Sequence, residues 1–218
     1  MPDPLRLKDM TPARAREVLT AMPRLLIPAG TLEPRGPHLP LGVDTVILEA
    51  LTDDLSARTG IARTPPFPYG ARGRGDEPTT PGAAALTRKT LHRMLNELIA
   101  MWEEVAAVRD ITILTAHAVD PHLEALSTIR TACRVRVIDI FGLRDLDPLR
   151  STRTGPWHGG EVDTSMLLHV APELVDRSRI PHTANASAAR GQLFYDAILR
   201  GLEERLALPA APGLDPTP

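Results

Sequence analysis

Apolar and polar positions along this chain alternate between two periods, one suited to helices and one to buried strands. Thr11 to Leu19 reads as a helix, with Thr11 as its cap and Pro12 at the first helical position. Leu25 to Ala29 is a short continuous apolar run, the pattern of a buried strand. Thr45 to Leu55 returns to helical spacing, so Asp44 falls at or near a helix N-terminus. Thr87 to Val108 is the strongest helical segment, with Leu91, Met94, Leu95, Leu98, Ile99, Trp102 and Val105 on one face. Ile111 to Thr115 predicts a second strand, Leu123 to Cys133 a helix, Val135 to Ile140 a third strand and Ala189 to Leu208 a last amphipathic helix.

Strands alternating with helices predict an α/β fold with a mainly parallel central sheet covered on both faces. There is no internal repeat, and the length suits a single domain over residues 1–208. The tail, 209–218, is small and Pro-rich and is expected to be disordered. Residues 62–82 form a Pro/Gly/Arg-rich stretch too long for an idle connection. Within it Arg72 and Arg74 read either as a basic lid or as a solvated loop. Its Gly-x-Gly spacing lacks the strand and helix that a nucleotide fingerprint needs.

Charge narrows the partners. Lys+Arg number 25 against Asp+Glu 27, a net charge of −2, so neither nucleic acid nor a membrane surface is expected, and a small-molecule substrate is the default. No signal-like or spanning segment is evident, and a cytoplasmic location is the expectation. The single Cys133 excludes an intramolecular disulfide and a cysteine metal cluster.

Three polar clusters carry the candidate chemistry: Glu33 with Asp44, His117, and His158 with Glu161 and Asp163. Carboxylates with imidazole suit a divalent metal such as Zn, Mn or Fe, and three protein ligands with an open position are what metal-assisted hydrolysis uses. Each residue also has a bland reading. Glu33 and Asp44 suit a loop salt bridge and a helix cap, His117 a hydrogen-bonded strand end, and His38 a structural loop histidine. His158 beside Glu161 suits a general acid/base pair or an anchor for the Gly159-Gly160 turn. Trp157 suits a stacking platform for substrate or a core or interface side chain. His92, His122, His169 and His182 lack partner motifs and read as structural.

The run Glu33-Pro34-Arg35-Gly36-Pro37-His38-Leu39-Pro40 with Asp44 resembles the creatininase family of metal-dependent amidohydrolases, whose pattern is Glu-Gln-His-Gly-Pro-His-Leu-Pro followed by Asp. The resemblance extends from Leu25 to about Leu206, through Tyr69-Gly70, Pro81-Gly82, the strand before His117, His158 to Glu161 and Ala189-Arg190-Gly191. It implies a three-layer α/β/α sandwich, commonly assembled as a homohexamer. It further implies that Glu33 and His117 hold one metal and that Asp44 bridges. A second metal would take an acidic residue, for which Asp163 is the candidate, and the histidine that Arg35 replaces here.

Arginine offers donors but no lone pair, so Arg35 cannot act as that ligand. The expectation is a mononuclear site in which the Arg35 guanidinium pairs with Asp163. Around His117 the chain reads Thr115-Ala116-His117-Ala118-Val119-Asp120, where the family is Gly-rich and carries an acidic residue two positions after the histidine. A reshaped pocket follows. The leading functional reading is a hydrolase of a non-peptide C–N bond in a small molecule, in specialised metabolism, with His158, Glu161 and Arg35 catalytic and Trp157 and His38 binding substrate. Two alternatives stand beside it: a non-hydrolytic reaction in the same pocket, and a non-catalytic binding or assembly subunit.

Overall fold

The computed structural model describes residues 2–73, 80–151 and 158–207. The strands are β1 (Arg24–Ala29), β2 (Ala62–Arg63), β3 (Asp110–Thr115) and β4 (Arg134–Asp139), all parallel in the order β2-β1-β3-β4. Six α-helices accompany them: α1 (Pro12–Ala21), α2 (Val43–Thr59), α3 (Arg88–Ala106), α4 (Asp120–Ser127), α5 (Glu161–Val170) and α6 (Ala188–Ala207).

The two-residue period of the strands divides the molecule into two cores. Leu26, Leu114 and Ile138 face α2, α5 and α6 on one side of the sheet. Leu25, Ile27, Ile111, Ile113, Val135 and Val137 face α1, α3 and α4 on the other. This is the expected three-layer α/β/α sandwich. β1 and β3 are interior strands buried on both faces, which is why they read as unbroken apolar runs.

Local chemistry sets most of the element ends. Thr11 and Thr87 cap α1 and α3 by accepting from the Arg14 and Thr90 amides. Gly60 at φ 71° closes α2 in the left-handed conformation. Leu91, Leu95 and Ile99 are the buried stripe of α3, which Trp102 and Ala106 continue, and Val105 is 74% exposed because it lies off that stripe.

The observed elements depart from expectation at two places. The helix placed over Leu123 to Cys133 instead occupies Asp120–Ser127, with Pro121 in its first turn, and the chain then runs irregularly to β4. Residues 62–63, placed in the irregular stretch, form the edge strand β2. Cys133 is a buried free thiol donating to the Val108 carbonyl. The expectations for Trp157, Arg74 and the 209–218 tail lie outside the described residues.

Candidate metal centre

In a parallel sheet the loops that follow neighbouring strands emerge on the same edge, and that edge is where α/β folds place their ligands. β1 and β3 pair directly, with Ala29 opposite Thr115 at their C-terminal ends. The segment after β1 therefore emerges beside the segment after β3, and residues far apart in sequence meet. Glu33 lies in the first segment, Asp44 in the first turn of α2 and His117 two residues beyond β3. One potential ligand atom from each of the three lies within 4.8 Å of the others, the one such cluster among the described residues.

Close backbone packing builds the cradle. A Cβ on Gly30 would stand 2.4 Å from Thr45 Oγ1 and 2.9 Å from the Thr45 backbone, so only glycine lets the loop leave β1 against α2. Thr31 donates to Asp44 Oδ2 at 2.7 Å. Arg35, 2% exposed, directs its Nη2 to Asp44 Oδ2 at 2.6 Å, to Glu33 Oε1 at 2.9 Å and to the Ala116 carbonyl at 3.1 Å.

The expected pairing of Arg35 with Asp163 is thus replaced by pairing with Glu33 and Asp44. The Asp163 carboxylate is taken up by backbone amides, accepting from Gly159 at 2.7 Å and from Thr164 at 2.9 Å. Asp163 is not one of the three converging ligand residues. Burial pushes its carboxyl up to about 6 against those two bonds and the charge of Arg35.

Hydrogen-bond accounting sharpens the site. His117 Nε2 lies 3.1 Å from the Ala71 carbonyl, an acceptor only, so Nε2 carries the proton and donates. In neutral His117 that leaves Nδ1 as a bare lone pair, 3.0 Å from Glu33 Oε1. Neither of these atoms, nor Asp44 Oδ1, has a hydrogen-bond partner, although all three are buried. Buried polar atoms are rarely left this way; Arg35 Nη2 brings a positive charge to 2.9 Å from Glu33 Oε1, and a cation between the three atoms would satisfy all of them.

Burial drives the Glu33 carboxyl up, while His117 in its protonated form and the Arg35 guanidinium draw it below the usual carboxylate range. Burial also raises Asp44, and Arg35 and Thr31 act against it.

The remaining expected residues fall into place around this centre. His158 is exposed at the turn before α5, and its charge acts on Glu33. Glu161 is buried at the start of α5, where it accepts from the Ser151 amide and hydroxyl and pairs with Arg190 of α6. That engagement ties α5, α6 and the Ser151 segment together. His38 is 2% exposed, its Nε2 2.9 Å from Thr164 Oγ1 of α5, and it packs beneath Gly36 and Gly159. Its partner is another element rather than its own loop.

Sequence reasoning passed over Thr31 and Thr115 and read His122 as structural. Nothing in their local sequence marks them, because their partners come from other elements.

A family model described as creatinine amidohydrolase matches residues 8–207. The chain belongs to the creatininase family. Within this family it is 28% identical over 186 residues to a mycofactocin precursor peptide peptidase of Mycobacterium ulcerans, a match covering 80% of this chain and 69% of that protein. It is 26% identical over 176 residues to the creatinine amidohydrolase of Pseudomonas putida, covering 72% of this chain and 67% of that one. A manganese form of creatininase superimposes with a TM-score of 0.80 at 19% identity, covering 93% of this chain and 97% of the other. The α/β/α sandwich is therefore the creatininase fold. Among the described residues, no helix is long and apolar enough to cross a membrane.

Proposed function

We propose that this creatininase-family chain is a metal-dependent hydrolase of an amide-type C–N bond, with a single divalent cation held by Glu33, Asp44 and His117. The observation that carries this reading is that Glu33, Asp44 and His117 each bring a ligand atom to within 4.8 Å of the others, with Glu33 Oε1, Asp44 Oδ1 and His117 Nδ1 buried and without a hydrogen-bond partner. Two carboxylate oxygens and one imidazole nitrogen suit Zn, Mn or Fe. Such a cation supplies Lewis-acid polarisation of a carbonyl and acidifies water.

Charge supports one ion. Glu33 and Asp44 contribute two negative charges and Arg35 one positive, so the cluster is −1 with His117 neutral. One divalent ion brings it to +1 and two would bring it to +3, in a site where Arg35 and Asp44 are buried. Arg35 thus acts as a fixed internal cation, held too firmly to leave, and stabilises negative charge developing on a substrate oxygen beside it. His158, exposed just before α5, is our candidate to give a proton to the departing nitrogen. The substrate class is an amide or cyclic amide of a small molecule or a short peptide. The likeness to a peptide peptidase as well as to a creatinine amidohydrolase supports this breadth, and the non-peptide restriction expected from the sequence is dropped.

One observation favours a second reading. Arg35 Nη2 already lies within ion-pair distance of both carboxylates, so the guanidinium could be the cluster's sole cation in a metal-free binding subunit. Elemental analysis of purified and of reconstituted protein separates the two. About one ion per chain, lost in Glu33→Ala and in His117→Ala, supports the hydrolase. No ion after reconstitution supports the binding subunit, and two ions would refute the single-cation site. Incorporation of labelled water oxygen into product then distinguishes hydrolysis from cyclisation, dehydration or isomerisation.

A further inference from the structure

His122 has no place in the scheme above, yet it is 0% exposed and its ring meets that of His117 edge-on, with centroids 5.0 Å apart. Its hydrogen bonds are fully determined. The Ala71 amide donates to His122 Nδ1 at 3.1 Å, so Nδ1 is unprotonated. The single ring proton is then on Nε2, which donates to Thr115 Oγ1 at 3.0 Å. Thr115 Oγ1 in turn accepts from the His117 amide at 3.2 Å. The two histidines thus share one residue: Ala71 gives its N–H to His122 and its carbonyl to His117.

The Ala71 segment is built to hold this position. Ala71 forms a parallel bridge with Leu86, in which the Gly70 carbonyl accepts from the Leu86 amide at 2.8 Å and the Arg72 amide donates to the Leu86 carbonyl at 3.3 Å. Those bonds use the groups on either side of Ala71 and leave Ala71's own N–H and C=O turned toward the histidines. Gly70 allows the approach, since a Cβ there would stand 2.9 Å from His122 Nδ1 and 2.6 Å from Thr31 Cγ2. The segment is therefore fixed from one side by Leu86 and from the other by His122.

We propose that His122 is a positioning residue for the metal centre: by anchoring Ala71 and Thr115 it fixes the His117 tautomer, so that Nδ1 is the nitrogen offered to a divalent cation. This rests on the reading of Glu33, Asp44 and His117 as a cation site. The Ala71 carbonyl can accept but not donate, so as long as it stays in place the His117 proton belongs on Nε2. Without the His122 anchor the Ala71 N–H loses its acceptor and only the Leu86 bridge holds the segment, so the Ala71 carbonyl can shift from His117 Nε2 and the proton can move to Nδ1, where Glu33 Oε1 would accept it. A ligand nitrogen blocked by a proton must lose it before binding a cation, which weakens binding.

The test uses the full chain labelled with ring-15N histidine, read by long-range 1H–15N correlation, together with Zn2+ affinity by competition with a chelator. In the wild type, metal-free His117 and His122 should both be Nε2–H tautomers, and Zn2+ should shift His117 Nδ1. In His122→Ala, His117 should show a mixture of tautomers and Zn2+ affinity should fall roughly 10- to 100-fold, the range of outer-shell changes. His122→Asn, whose Oδ1 can accept from Ala71, should recover most of the affinity and the single tautomer. If His117 keeps one Nε2–H tautomer and unchanged Zn2+ affinity in His122→Ala, the proposal is overturned while the cation site stands. If Zn2+ leaves the wild-type His117 signal unmoved, the cation reading itself fails, and the tautomer in the metal-free variants still reports on the anchor alone.

Discussion

Gly159 has φ 66°, and a Cβ there would stand 2.4 Å from the Arg35 carbonyl and 3.1 Å from His38 Cε1. Two penalties meet at this residue, left-handed backbone and steric overlap with a loop that cannot retreat. Gly159→Ala should therefore lower stability by about 2 to 4 kcal/mol, measured by urea unfolding. It should also weaken metal binding, because the overlap falls on the carbonyl of Arg35 itself. Asp53 bears on stability through pH instead. Arg6 and Arg63 bond its carboxylate at 2.7 to 2.9 Å, and Arg63 is fully buried. Burial raises the Asp53 carboxyl, but these bonds outweigh it and the net shift is downward. A folded-state value below the unfolded one gives stability that is present above roughly pH 4 and is lost as the pH falls further. Asp53→Asn should cost about 2 kcal/mol at neutral pH, less than a fully broken buried pair because Glu49 still bonds Arg63. It should also flatten the acid limb of a stability-against-pH curve.

Helix α6 crosses α5 at unusually close range. A Cβ on Gly191 would stand 1.9 Å from the Ser165 carbonyl and 2.9 Å from His169 Cβ, so the two backbones meet where only a hydrogen fits. The contact sits one residue from Arg190, whose pairing with Glu161 joins the start of α5 to α6. Gly191→Ala should separate the helices and cost at least about 3 kcal/mol, seen as a lower urea midpoint. Because α5 carries both Thr164 against His38 and Asp163 against the Gly159 turn, the same change should loosen the rim of the metal centre. A second contact between elements is milder. Tyr195 of α6 donates to Asp54 of α2 at 2.8 Å, and Tyr195→Phe should cost only about 1 kcal/mol.

The candidate metal centre lies on the C-terminal edge of the sheet and draws on the loops after β1 and β3 and on the first turn of α2, so a bound cation would link elements from both cores. A ligand that binds only the folded chain stabilises it by mass action, about 2.7 kcal/mol at a free concentration 100 times Kd. For a domain of this length that corresponds to a Tm higher by about 5 to 10 °C. Scanning calorimetry with Zn2+ or Mn2+ should show that rise, chelator should reverse it, and Glu33→Ala should abolish it. An equal rise in Glu33→Ala would place the cation elsewhere.

The sequence by itself determined the layers and most of the elements. The strand and helix periods are local properties, and a run such as Leu25 to Ala29 has no other way to bury both of its faces. It also supplied the three residues that converge, because Glu33, Asp44 and His117 sit in loops at strand ends and a helix start, where a parallel sheet collects its polar groups. Tertiary structure alone decided who pairs with whom. Arg35 could have turned to Asp163; it turned to Glu33 and Asp44, while the amides of Gly159 and Thr164 bond the Asp163 carboxylate. Glu161 was drawn to Arg190 of a helix distant in sequence. His122, featureless in one dimension, became the partner of Ala71 and Thr115 through contacts with no sequence period. Hydrogen bonds are directional and short, so the choice among acceptors depends on shifts of about an ångström, and those are set only when the sheet and both helical layers are packed.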